Sequence, residues 1–170
     1  MQRIARFGSN HLFELDARDG ITPNPPPRFP PIPIEPHQLR VSHGHEQTHY
    51  AVDGRLDSGW TTGLRKGAAW TQVRLEVSHD VRQVRLELGR SRDAFPPDLT
   101  IVSGADDGQE RQLYAGGVLP QLAVGLVHEP LTAPIVISLP PNRTRVLTLL
   151  VSEAFPDPWS VHELILYGQP

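Results

Sequence analysis

No cysteine occurs anywhere in the 170-residue chain. Disulfides are therefore excluded, as is any metal site built on thiolates, and the redox compartment leaves no mark on the sequence. Long apolar runs are missing too: no segment approaches the roughly 18 apolar residues of a membrane span. The first residues carry no apolar signal-peptide core, so Met1 is expected to begin a piece of a larger protein. An excess of positive charge is also lacking. The balance of 16 basic against 19 acidic residues leaves a net charge of −3. Recognition of a phosphate backbone needs a concentrated basic footprint, so the balance argues against a nucleic-acid partner. No nucleophile elbow, phosphate-binding loop or dinucleotide fingerprint appears.

What the chain does contain is short alternating segments separated by proline and glycine. Its length allows one domain with an adequate core. Residues 1–21 read as an N-terminal extension that forms a short hairpin around Gly8-Ser9-Asn10. Residues 22–36 form a proline-rich strap, extended and unable to enter a sheet interior, whose Phe29, Ile32 and Ile34 pack it down on the surface. From His37 the pattern is strand after strand. In residues 70–77 Val73, Leu75 and Val77 share one face, with Arg74 and Glu76 on the other; in residues 81–88 Val84, Leu86 and Leu88 repeat the device. If these two strands pair, Arg74 faces Glu87 and Glu76 faces Arg85. Further strands are expected at 38–42, 99–103, 109–115, 135–139, 145–151 and 161–167, punctuated by prolines such as Pro96, Pro120, Pro130 and Pro140. Many short strands with such turns predict an all-β fold, an antiparallel jelly-roll-like β-sandwich over residues 37–168.

One motif pulls towards catalysis. His45-Glu46-Gln47-Thr48-His49 matches the zinc-hydrolase pattern, in which two histidines four apart on a helix bind zinc while the Glu activates water. Gly44 before it and Asp53-Gly54 after it leave barely two helical turns, Val52 stands where the longer zinc-protease pattern has Gly, and Glu76 lies in a strand. The segment reads instead as a polar loop or single helical turn, with a zinc hydrolase as the lesser alternative.

That turn leads into Ala51-Val52-Asp53-Gly54-Arg55-Leu56-Asp57-Ser58-Gly59-Trp60, a compact loop with oxygen donors at short intervals, closed by an aromatic. Downstream come Trp70 to Leu75, Val81 to Leu88, Ser103 through Asp107-Gly108, and a closing Trp159-Ser160-Val161-His162-Glu163-Leu164-Ile165-Leu166-Tyr167-Gly168. Taken in this order, from about Pro36 to Gly168, these parts resemble the discoidin domain, or coagulation-factor C-type domain. That galactose-binding-like sandwich is also found in bacterial carbohydrate-binding modules. Arg55 and Ser58 stand where that family usually has Asn and Thr, and the cysteine pair of the animal coagulation type is missing, which favours the bacterial type.

The resemblance implies a calcium ion that stabilises the loops and does no chemistry, held by Asp53, Asp57 and Ser58 with Glu163 from the last strand and carbonyls near Ala51 and Arg55. It also implies a ligand surface on the loops at one end of the sandwich. There the residue types that suit a sugar are Arg90, Arg92 and Phe95 in one loop, His43 and His45 in another, and Trp159 in a third; Trp60 and Trp70 are expected in the core. The function implied is non-catalytic binding of a glycan or polysaccharide. The module would be an extracytoplasmic accessory part of a larger bacterial protein, such as a glycoside hydrolase, a membrane glycosyltransferase or a surface protein. The alternative is a protein-interaction domain without sugar binding. Binding to a membrane surface by itself ranks last, since only Leu64 and Phe95 offer apolar loop spikes.

Overall fold

The computed structural model describes residues 27–64, 67–104, 109–152 and 157–170. The hairpin expected near Gly8-Ser9-Asn10, the first part of the strap, and the Asp107-Gly108 turn lie outside the described residues.

Antiparallel strands build the structure. They are β1 (Pro31–Ile32), β2 (Leu39–Val41), β3 (Trp60–Thr61), β4 (Ala69–Glu87), β5 (Asp98–Gly104), β6 (Glu110–Gly117), β7 (Pro134–Ser138), β8 (Arg143–Val151), β9 (Ser160–Val161) and β10 (Glu163–Gln169). β4 organises the rest. Its first half pairs with β2 and β8, and β8 continues through β5 to β6. Its second half pairs with β10 and β7, and β10 carries β1 at its outer edge. The register with β8 breaks between Arg74 and His79, and such an irregularity lets a strand bend. β4 thus passes from one layer of the sandwich into the other. Both layers bury their apolar faces in one core that includes Val73, Leu86, Leu147, Leu149, Leu164 and Leu166, the fold class expected from the alternation.

Two features depart from the sequence reading. The segments 70–77 and 81–88 are not a pair of strands: residues 70–77 and 81–87 belong to a single 19-residue strand. The cross-strand pairs Arg74–Glu87 and Glu76–Arg85 therefore do not form. Arg85 instead donates from Nε to Glu87 Oε1 at 2.7 Å, and from Nη1 and Nη2 to the two carboxylate oxygens of Glu129 at 3.2 and 2.5 Å. Glu129 caps the second unexpected element, helix α1 (Leu119–His128). Pro120 lies in its first turn, where a missing N–H breaks no intrahelical bond. Leu122 and Gly125 form its buried side, and Gly125 lies directly on the backbone of Pro134 at the start of β7.

The end of the strap does pack down. Ile32 is buried, and the Arg82 guanidinium stands over the Phe29 ring, 5.7 Å from its centroid. Among the described residues no helix is long and apolar enough to cross a membrane.

Candidate functional site

The loop between the 3-10 helix His45–Ala51 and β3 is organised by Asp53. Its Oδ1 accepts the Arg55 backbone N–H at 2.9 Å and its Oδ2 accepts the Ser58 hydroxyl at 2.7 Å. A carboxylate that bonds its own backbone two residues on is the standard way an Asp sets a turn. Gly54 at φ 74° then points its N–H at Glu163, whose Oε2 accepts it at 3.0 Å. Burial pushes the Glu163 carboxyl up to about 7; the Gly54 N–H opposes this, and the neighbouring Asp53 and Glu87 charges add to it.

Three of the four residues expected to hold a cation, Asp53, Ser58 and Glu163, therefore converge. Asp57 does not join them. Its carboxylate takes two hydrogen bonds from Arg55, at 3.0 and 2.9 Å, on the exposed side of the loop. The Arg55 guanidinium holds Asp57 below the usual carboxylate range. Two carboxylates and a hydroxyl suit a hard, oxygen-seeking cation such as calcium. Among the described residues no group of three or more His, Asp and Glu gathers as metal ligands, so backbone carbonyls would complete such a shell.

A residue that sequence reasoning passed over, His162, joins this loop to the next. Its buried ring lies 2.9 Å through Nδ1 from the Leu56 carbonyl and 3.0 Å through Nε2 from the Ser91 hydroxyl. A carbonyl only accepts, so Nδ1 carries the proton, and in the neutral ring Nε2 accepts from Ser91. Gly59 and Gly89 pack on the two flanks of the ring, where an added Cβ would come within 3.1 and 2.9 Å of it. His162 is a tie between residues 56–59 and the loop that carries Arg90 and Arg92. Both arginines are exposed, and the Arg92 Nε also donates to the Gly89 carbonyl at 3.2 Å.

The other expected ligand residues divide. Phe95 is half-buried against the core. Trp159 is fully buried; its ring meets Trp60 edge to face, with centroids 5.1 Å apart and planes at 82°. It is a core residue with no face open to a sugar, which corrects its place in the expected ligand set. His43 bonds Ser42 Oγ through Nδ1 at 2.8 Å, and its carbonyl accepts the Trp60 indole N–H. His45 is exposed and faces a groove with Trp70. Trp70 was expected in the core but is only half-buried.

The geometry also removes the basis of the zinc pattern. His45 and His49 lie on a 3-10 helix, where three residues complete a turn, so positions four apart point about 120° away from each other. They do not share the face that a helical zinc pair requires.

No protein-family model matches the chain, and no curated protein matches it. Solved structures do. CBM32-5 of Clostridium perfringens, in complex with GalNAc-β-1,3-galactose, superposes with a TM-score of 0.62 over 81% of this chain and 99% of its own, at 12% identity. CBM32-3 from a family 31 glycoside hydrolase of the same organism gives 0.61 over 80% and 94%, at 16% identity. The chain has the fold of family 32 carbohydrate-binding modules. A third neighbour, the family 32 module of C. perfringens NanJ in complex with galactose, gives 0.61 over 81% and 97%, also at 16% identity. At such identities the likeness establishes the discoidin-like sandwich itself.

Proposed function

We propose that this chain is a non-catalytic glycan-binding module, that its ligand meets the loop carrying Arg90 and Arg92, and that a calcium ion at Asp53, Ser58 and Glu163 steadies the adjoining loop. The observation that carries the reading is the His162 tie. It holds the loop that carries two exposed guanidiniums, rich in planar donors for sugar hydroxyls, beside the oxygen-lined turn. The neighbours support it: two of them are complexes with galactose or a galactose disaccharide, and another belongs to a glycoside hydrolase. By the same support the module would serve a larger enzyme or surface protein acting outside the cytoplasm.

One observation favours a second reading, a protein-interaction domain. With Trp159 buried and Phe95 half-buried against the core, the two rings expected here offer little surface for a sugar to stack on. A glycan array probed with the purified chain, with calcium and after chelation, separates the two. Binding that weakens in Arg90→Ala and Arg92→Ala supports the module. Silence across a broad array in both conditions overturns it in favour of the interaction domain.

A further inference from the structure

Away from the cation loop, β2 and the 3-10 helix enclose an open groove of about 580 Å³, whose lining includes Pro36, His37, Arg40, His45, His49 and Trp70. The sheet register explains what faces it. On β2 Leu39 and Val41 are buried while Arg40 points out, and Arg40 stands opposite Gln72 of β4. Trp70, two residues along β4 and flanked by buried Ala69 and Thr71, shares that outer face. Its backbone is pinned on both sides by Ser42: the N–H donates to Ser42 Oγ at 2.9 Å and the carbonyl accepts the Ser42 N–H at 3.0 Å. His45 and His49 come from the 3-10 helix.

The lining has a consistent chemistry. Trp70, half-buried, is the tryptophan that lines the groove, whereas Trp60 and Trp159 are 1% and 0% exposed. Three imidazoles can each donate and accept. Arg40 is exposed and makes no side-chain hydrogen bond or ion pair among the described residues. Among the described residues no carboxylate lines the groove. A site of roughly 300–1,000 Å³ with an aromatic wall and a few convergent polar groups is the common form of a small-ligand pocket. An indole face suits the apolar face of a pyranose. The exposed Arg40 guanidinium adds a fork that matches a planar carboxylate through two parallel hydrogen bonds, which a neutral sugar cannot supply in return.

We propose that this groove is a second saccharide site, separate from the Arg90 loop, and that it takes a sugar bearing a carboxylate, a uronic acid unit stacked on Trp70 and clamped by Arg40. It does not depend on the Arg90 reading, and either can fail alone.

The test uses the full chain with three probes in titration calorimetry: an oligo-uronate, the same oligosaccharide with its carboxylates esterified, and a sulfated oligosaccharide. The uronate should bind, with the ester about tenfold weaker or worse, the effect of one charge-assisted contact. Indole emission should shift on binding, and Trp70→Phe should remove the shift while the fold persists. Arg40→Gln should cost the uronate about tenfold and leave the ester unaffected, a split that a merely structural role would not give. Arg90→Ala and Arg92→Ala should leave uronate affinity unchanged. The proposal is overturned by absence of uronate binding, by equal binding of ester and acid, by preference for the sulfated probe, or by uronate binding that follows Arg90 and not Arg40.

Discussion

Gly89 and His162 meet backbone to ring: a Cβ on Gly89, at φ 52°, would come within 2.9 Å of the imidazole. The contact lets one side chain from the closing strands hold two loops at once. Removing the ring in His162→Ala leaves the Leu56 carbonyl and Ser91 hydroxyl without their partner and opens a gap between Gly59 and Gly89. The expected loss is about 1–3 kcal/mol of stability, read by urea denaturation. Glycan affinity at the Arg90 loop should fall as well, while the uronate groove keeps its own. Loss of both affinities together would show that His162 supports the fold as a whole and not the loop pair.

Glu163 sets a pH dependence. Its folded value of about 7 lies above the ordinary 4.5, so between these values the folded state binds more protons than the unfolded one. Stability should therefore fall as pH rises from about 4.5 to about 7, with the loss complete above that. Glu163→Gln should flatten this slope in melting temperatures taken across the window. Calcium added at pH 8 should raise the melting temperature of the wild type more than that of Asp53→Ala; an equal rise would remove the cation from this loop.

Arg85 is the hinge pin between α1 and the sheet. Glu87 is 6% exposed and its Oε2 has no hydrogen-bond partner among the described residues, so Arg85→Ala strands a buried carboxylate. Roughly 3 kcal/mol of destabilisation is expected. Arg85→Ala combined with Glu87→Gln should recover part of it, and chemical denaturation of both variants checks the point.

A helical glycine replaced by alanine ordinarily gains up to about 1 kcal/mol. Gly125→Ala should do the opposite, since its methyl group would be driven into the carbonyl of Pro134. Overpacking of this kind costs about 1–3 kcal/mol. A thermal melt that moved upward would show that α1 is free to shift away from β7.

How much of this was written in the sequence depends on the range of the contact concerned. The alternation at Val73-Leu75 and Val84-Leu86 is a local property, and it survives in β4 as buried and exposed sides. The Ser78-His79-Asp80 stretch resembles a turn locally, yet the backbone stays extended as β8 partners His79 and Asp80 and β10 partners Asp80. Pro120 reads as a breaker unless its place in a first turn is known, and α1 was missed for that reason. Asp53, Ser58 and Glu163 were grouped only by the family resemblance, and they lie around one loop. Asp57 was diverted by Arg55, two residues away. Trp159 was misplaced because its burial depends on Trp60, from a distant part of the chain. His162 carried no sequence signal, since its role exists only once Leu56 and Ser91 arrive beside it.

Because one unbroken strand belongs to both layers, neither layer can peel away while the other keeps its hydrogen bonds. Native-state hydrogen exchange should accordingly find the amides of β2, β8, β7 and β10 opening together, at a single free energy, with no layer forming a unit of its own. Under a force applied through its two ends, the sandwich would give way all at once or not at all.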